Sequence, residues 1–199
     1  MSQTWNYIKE LADANNGIIK TSQVEKMNIS RATLCNYVST GKLERVSNGI
    51  YVLANEMADE YALLQSRSKW AVFSYGTALY LWGLSDRVPH FYDITLPRGA
   101  NVGLLLRDNP DLRCHHVKKE IYELGITETT SPQGSIVRLY DKERCICDLI
   151  RSKEHIDMQI YTQAIKDYFR SYPNIRKLLK YSKTFKIEDK IRMYMEVLQ

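Results

Sequence analysis

The sequence predicts an α+β protein. Three short helices and a β-hairpin come first, a mixed α/β segment follows, and the chain ends in a helical tail. Three observations carry this reading. Helix-start and helix-stop residues punctuate residues 1–55 at short intervals. Asn48-Gly49 lies between two runs of strand-forming residues. From Asp141 onward apolar residues recur at helical spacing.

The elements of residues 1–55 follow in order. Trp5, Ile8 and Leu11 lie on one helical face, and Gly17 stops that helix. Ser22-Gln23-Val24-Glu25 has the form of a capping box, which starts a second helix near Ser22 and runs it to about Met27. Ser30 caps a third helix from Arg31 to about Thr40, closed by Gly41. Leu43–Val46 and Ile50–Leu53 are the strands of a hairpin whose Asn-Gly turn tolerates positive φ at both positions. Helices separated by the short turn Asn28-Ile29 and followed by a hairpin have the order of a winged helix-turn-helix.

On the third helix Leu34, Tyr37 and Val38 form the packing face, with Ala32, Thr33, Asn36, Ser39 and Thr40 opposite. A small, polar, uncharged face suits close approach to base edges in a major groove. Arg31 sits on its flank, Lys42, Arg45 and Asn48 mark the hairpin, and Lys20 and Gln23 begin the second helix as phosphate candidates. A three-helix protein-interaction module is the competing reading. The segment carries a net charge of only +2, so tight DNA binding requires repeated sites or cations from elsewhere.

The boundary falls near Ala54-Asn55-Glu56, dividing a DNA-binding domain (1–55) from a second domain (56–199). In the second, Ala58–Arg67 reads as helix, and Ser74 caps a helix through Leu81. Strands are expected at Phe91–Leu96, Arg113–Lys118, Ile126–Thr130 and Ser135–Tyr140. Tyr161, Ala164, Ile165, Tyr168 and Phe169 make one apolar helical stripe. Ile175, Leu178 and Leu179 make a second, and Ile187, Ile191, Tyr194 and Leu198 a third.

Composition bounds the class of protein. The 199 residues are 44% hydrophobic and 26% charged, enough to bury a core. The longest apolar runs, Ala78–Trp82 and Gly103–Leu106, fall far short of the roughly 18 residues a membrane helix needs. The first residues lack a charged-then-apolar leader, so the expectation is a cytoplasmic protein whose Cys35, Cys114, Cys145 and Cys147 are reduced.

No catalytic or cofactor pattern emerges, and the expectation is a non-enzyme without cofactor or metal. Cys114-His115-His116 and Cys145-Ile146-Cys147 lack chelating geometry: adjacent strand histidines face opposite ways, and helical cysteines two apart lie about 200° apart. No Asp-x-Asp follows Gly134-Ser135, no Lys-Ser/Thr follows the Pro97–Gly103 stretch, and no Gly-x-Ser-x-Gly occurs. His90 beside Pro89 is a candidate base without a nearby nucleophile.

Charge is concentrated at the end. Residues 151–199 carry +5 and residues 56–150 carry −2. Lys166 and Arg170, then Arg176, Lys180 and Lys183, repeat at one helical face, with Lys186, Lys190 and Arg192 after them. Like charges four apart cost helix stability, so the stripe is either a solvated face or a polyanion contact.

Beyond these patterns, several stretches carry a resemblance. In the N-terminal segment they are Asn28–Leu34, Gly41–Val46 and Gly49–Tyr51. In the second they are Ser74–Pro89, Ile94–Gly99, Val137–Arg144 and Cys147–Ile150. Together they resemble the AbiEi antitoxin family of bacterial type IV toxin–antitoxin and abortive-infection (phage defence) systems. Trp82 departs from the family pattern, where histidine is more usual, and receives no ligand role.

The resemblance implies a non-enzymatic transcriptional repressor that binds inverted repeats upstream of its own operon through the winged helix. It implies that residues 56–199 counter a nucleotidyltransferase-like toxin acting on tRNA, without a stable complex. It also implies a role for basic C-terminal surface in cooperative repression. The alternatives are a ligand- or partner-sensing winged-helix transcription factor unrelated to toxins, which predicts a pocket in residues 56–199, and an enzyme acting on nucleic acid. Within the second half, Asp86-Arg87 and Arg98 read as structural.

Overall fold

The structure, a computed structural model, describes residues 3–171 and 173–198; Met1 and Ser2, on which part of the leader reading falls, lie outside them. The chain forms two compact units. One is Met1–Lys69 with Thr130–Val137, and the other is Trp70–Thr129 with Arg138–Gln199.

The first unit runs α1 (Gln3–Ala14), β1 (Ile18–Lys20), α2 (Thr21–Lys26), α3 (Arg31–Ser39), β2 (Leu43–Ser47), β3 (Ile50–Leu53) and α4 (Glu60–Ser66). Its helices and hairpin have the arrangement of a winged helix-turn-helix. An antiparallel sheet in the order β1-β3-β2 adds a strand, Ile18–Lys20, to the expected hairpin. Asn16 and Gly17, at φ +51° and +83°, turn the chain from α1 into it. Trp5, Ile8, Ala12, Ile19, Val24, Leu34, Tyr37, Leu43, Tyr51 and Leu53 make the core.

Three local expectations are corrected. The Ser22–Glu25 capping box does not form: α2 begins one residue earlier, and Gln23 Oε1 accepts from the Lys20 backbone N–H at 3.2 Å. At the hairpin turn only Gly49 has positive φ, +73°, while Asn48 does not. The register shift between Arg45 and Ser47 is a bulge that supplies the extra twist. The helix expected from Ala58 begins at Glu60, because Asp59 is its cap: Oδ1 accepts from the N–H groups of Tyr61 and Ala62 at 2.9 and 3.2 Å. The other Asp59 oxygen accepts from the Ser131 hydroxyl and from the Ser135 N–H at 3.3 Å, so one carboxylate, 2% exposed, ties the residue 130–137 segment to α4.

The second unit contains β4 (Val72–Phe73), α5 (Tyr75–Leu81), β5 (Tyr92–Pro97), α6 (Gly103–Asp108), β6 (Leu112–Val117), α7 (Lys119–Tyr122), β7 (Ile126–Thr130), β8 (Ile136–Tyr140) and α8 (Lys142–Arg151). A short 3-10 turn, Lys153–His155, leads to α9 (Met158–Arg170), α10 (Ile175–Phe185) and α11 (Glu188–Leu198). The sheet order is β6-β5-β4-β8-β7, with β5 parallel to β6, β4 parallel to β8, and β4 antiparallel to β5. Its middle strand is only Val72-Phe73, both fully buried. Ser74 does not cap α5 with its side chain. Its hydroxyl instead accepts from Thr95 Oγ1 at 2.9 Å, bolting the start of α5 to β5.

The apolar stripe of α9 is buried at every predicted position: Tyr161, Ala164, Ile165, Tyr168 and Phe169. Lys186 in the left-handed conformation, φ +57°, ends α10 and turns the chain into α11.

Inside this unit lies Arg144, 1% exposed, in α8. Its Nε donates to Asp148 Oδ2 at 2.7 Å, and Nη1 donates to the carbonyls of Ile121 and Leu124 at 2.6 and 3.0 Å. Removing the guanidinium takes this donor from the carbonyls of Ile121 and Leu124 and leaves the buried Asp148 carboxylate to the exposed Arg151 guanidinium at 3.1 Å. Arg144→Ala is therefore expected to cost ~3–5 kcal/mol, read as a lower urea midpoint with unchanged slope; a loss below ~1 kcal/mol contradicts the account.

Candidate nucleic-acid interface

The third helix of the first unit is set by its ends and its buried face. Ser30 Oγ accepts from the Thr33 N–H at 3.3 Å, Gly41 at φ +67° ends the helix, and Leu34 and Tyr37 anchor it in the core. The Tyr37 ring lies 4.9 Å from that of Trp5. This anchoring turns Ala32, Asn36, Ser39 and Thr40 outward, with Thr33 half-buried. Ser39 and Thr40 both donate their hydroxyls to the Asn36 carbonyl at 2.9 Å, which stiffens the last turn and leaves the Asn36 carboxamide projecting from the face.

The flanking cations are held rather than loose. Arg31 Nε donates to Glu25 Oε1 at 2.6 Å, and its side chain is 74% exposed. Lys42 Nζ sits 5.2 Å from the Trp5 ring and 5.5 Å from Tyr37, a cation–π cradle that fixes its direction. At the wing tip Arg45 Nη2 donates to Asn48 Oδ1 at 3.0 Å. Lys20 is half-buried at the start of α2. Gln23 spends both ends of its amide inside the unit, accepting from Lys20 and donating from Nε2 to Asn15 Oδ1 at 3.1 Å. It therefore positions α2 rather than presenting a free donor.

The basic residues of the tail lie in the second unit. Lys166 and Arg170 are on α9, Arg176, Lys180 and Lys183 on α10, Lys186 at its end and Lys190 on α11, and all seven are exposed. Two neighbouring cations behave differently. Lys177 bridges Asp141 and Glu143 at 2.9 and 3.5 Å, and Arg192 pairs with Glu188 at 2.6 Å. Lys177 thus ties α10 to the start of α8, while the Arg192 pair lies within α11.

Of the residues read as structural, Arg87 pairs with Asp157 at 3.3 Å and Asp86 accepts from Gln163 at 2.7 Å, whereas Arg98 is exposed. Trp82 Nε1 donates to the Tyr140 carbonyl at 2.8 Å. His115 and His116 diverge as expected, His115 donating to Asp93 at 2.9 Å and His116 facing solvent. Among the described residues His, Cys, Asp and Glu form no cluster of three or more able to hold a metal ion, and no helix is long and apolar enough to cross a membrane.

Residues 6–54 match the protein family described as "Transcriptional regulator, AbiEi antitoxin". This stretch spans α1 through β3, including α3 and the wing, and it supports an antitoxin and regulatory role. No curated protein matches the chain in sequence. The fold is similar to the crystal structure of the RV2827C protein from Mycobacterium tuberculosis. The TM-score is 0.62 at 12% identity, covering 89% of this chain and 70% of that one.

The four thiols provide a check on this geometry. Cys35 is exposed on α3, whereas Cys145 and Cys147 are buried, and burial pushes the Cys147 thiol up to about 12. In native protein at mildly alkaline pH, a thiol-exchange reagent is expected to react rapidly with Cys35 and to reach Cys145 and Cys147 only after denaturant is added. Rapid reaction of all four without denaturant contradicts the packing of α8.

Proposed function

We propose that the chain is a cytoplasmic, autoregulating antitoxin. Its winged helix represses its own operon by binding inverted repeats upstream, and its second domain, residues 56–199, counters a nucleotidyltransferase-like toxin without forming a stable complex with it. The observation that carries the DNA-binding part is the outward face of α3, small, polar and uncharged, bordered by Arg31, Lys42 and the Arg45–Asn48 wing tip. An exposed helix face of this kind enters a major groove without charge repulsion, and its flanks supply phosphate contacts. The family match over residues 6–54 supports the same reading. The antitoxin half rests on that match and on the resemblance in residues 74–150.

In this reading Asn36 reads a base edge, with Thr33, Ser39 and Thr40 beside it. Lys20, Arg31, Lys42, Arg45 and Asn48 hold the backbone, and Gln23 fixes α2 against the Lys20 backbone N–H that precedes it. The low charge of the reader segment is offset by the exposed Lys166, Arg170, Arg176, Lys180, Lys183, Lys186 and Lys190, which extend the polyanion contact. The protein itself performs no catalysis in this scheme and uses no cofactor.

A salt-titrated mobility shift with the full chain on the DNA immediately upstream of its gene, against scrambled DNA, tests the reading. Asn36→Ala is expected to shrink the preference for upstream over scrambled DNA by about tenfold or more, the worth of one good base contact. Lys42→Ala and Arg45→Ala are expected to weaken both DNAs alike and to flatten the salt slope by about one each. Absence of any preference at every salt concentration overturns the repressor reading.

A further inference from the structure

The second unit contains a cavity of about 480 Å³ that the DNA-binding reading does not use. It is built by strand alternation. Residues two apart share a face, so Phe91 and Asp93 on and before β5, and Arg113 and His115 on the neighbouring parallel strand β6, all line it. The turn from β4 into α5 contributes Tyr75, and Ile160 of α9 lies against it.

Five features of this cavity point to a ligand. Tyr75 holds φ +44°, a left-handed conformation costly for an aromatic residue and common where a side chain must be aimed at a site. Its ring packs against that of His115 with centroids 4.1 Å apart and planes tilted by 35°. His115 Nε2 donates to Asp93 Oδ1 at 2.9 Å, which orients the imidazole and leaves Asp93 Oδ2 as the acceptor. A Cβ at Gly76 would stand 3.2 Å from that oxygen, so glycine is the residue that lets it be approached. Finally, the Arg113 guanidinium carbon lies over the Phe91 ring, 3.7 Å from its centroid, which holds a cation with several donors beside an aromatic wall.

We propose that this cavity binds a free purine mononucleotide. Aromatic walls supplied by Tyr75, Phe91 and His115 select a flat heteroaromatic ring. The half-buried Asp93 carboxylate selects an exocyclic amine or ring N–H, and the exposed Arg113 guanidinium selects an anionic tail such as a phosphate. The volume lies within the range of small-ligand pockets. The site lies wholly in the second unit and stands whether or not the first unit binds DNA.

The test is calorimetric titration of the full chain with AMP and GMP, alongside UMP, ribose 5-phosphate and inorganic phosphate. At least one purine nucleotide is expected to half-saturate below about 1 mM, with UMP weaker and the two base-free probes weaker still. Arg113→Ala is expected to weaken the nucleotide about tenfold while leaving the matching nucleoside unchanged. Asp93→Asn is expected to weaken nucleotide and nucleoside alike, with circular dichroism confirming that both variants are folded. The proposal is overturned if no purine nucleotide binds the folded protein, if phosphate or ribose 5-phosphate binds as well as AMP and GMP, or if both folded variants bind like the unaltered chain.

Discussion

The second unit depends on one buried cation. Arg144 meets Asp148 through Nε and the carbonyls of Ile121 and Leu124 through Nη1, and its guanidinium faces the rings of Tyr140 and Phe185 at 4.2 and 4.6 Å. One helix turn before, Asp141 caps α8 by accepting from the Arg144 N–H at 2.8 Å, and its other oxygen accepts from Tyr181 and Lys177 of α10. Gly125 completes the arrangement: at φ +83° its carbonyl accepts from the Asp141 N–H, and a Cβ there would stand 3.0 Å from both Arg144 and Asp141. A buried charge is tolerated only when its partners are in place. These residues therefore fix α7, the start of β7, α8 and α10 relative to one another. Burial pushes the Asp148 carboxyl above its ordinary value while the adjacent guanidinium pulls it back.

The first unit is organised by a different constraint, the burial of one face of a nine-residue helix. Leu34 is fully buried and Tyr37 nearly so, and the α3 residues proposed to meet base edges are placed by that choice. The Lys42 ammonium held over Trp5 and Tyr37 shows the two roles joined, since the aromatic pair that closes the core also aims a cation outward. Core and interface are thus two sides of the same short element.

Much of this was legible in the sequence where local chemistry decides structure. Ser30, Leu34, Tyr37 and Gly41 are enough to place α3, and the stripe from Tyr161 to Phe169 is enough to orient α9. Tertiary pairing decided the rest. Ile18–Lys20 and Val72-Phe73 are strands only because partners lie beside them, and runs of three and two residues show no periodicity. Ser22 and Ser74 both look like caps, yet a glutamine that reaches back and a threonine across the sheet take over the bonding. Of the cavity lining, the sequence marks out His90 and, within Cys114-His115-His116, His115, but assigns neither a ligand. Tyr75, Asp93, Arg113 and His115 come from three separate segments, and the parallel β5–β6 register that unites them has no local signature.

The central claim is that the outward face of α3 is the surface that meets DNA. Cys35 lies on that helix beside Asn36 and is exposed, so its own thiol reports on the surface without any substitution. The most direct measurement is the rate of Cys35 alkylation in the full chain, alone and with saturating DNA from upstream of its gene or with scrambled DNA. The account predicts strong protection by the upstream DNA and weaker protection by the scrambled one. An unchanged rate with the upstream DNA bound would contradict it, because the contact surface would then lie elsewhere on the chain.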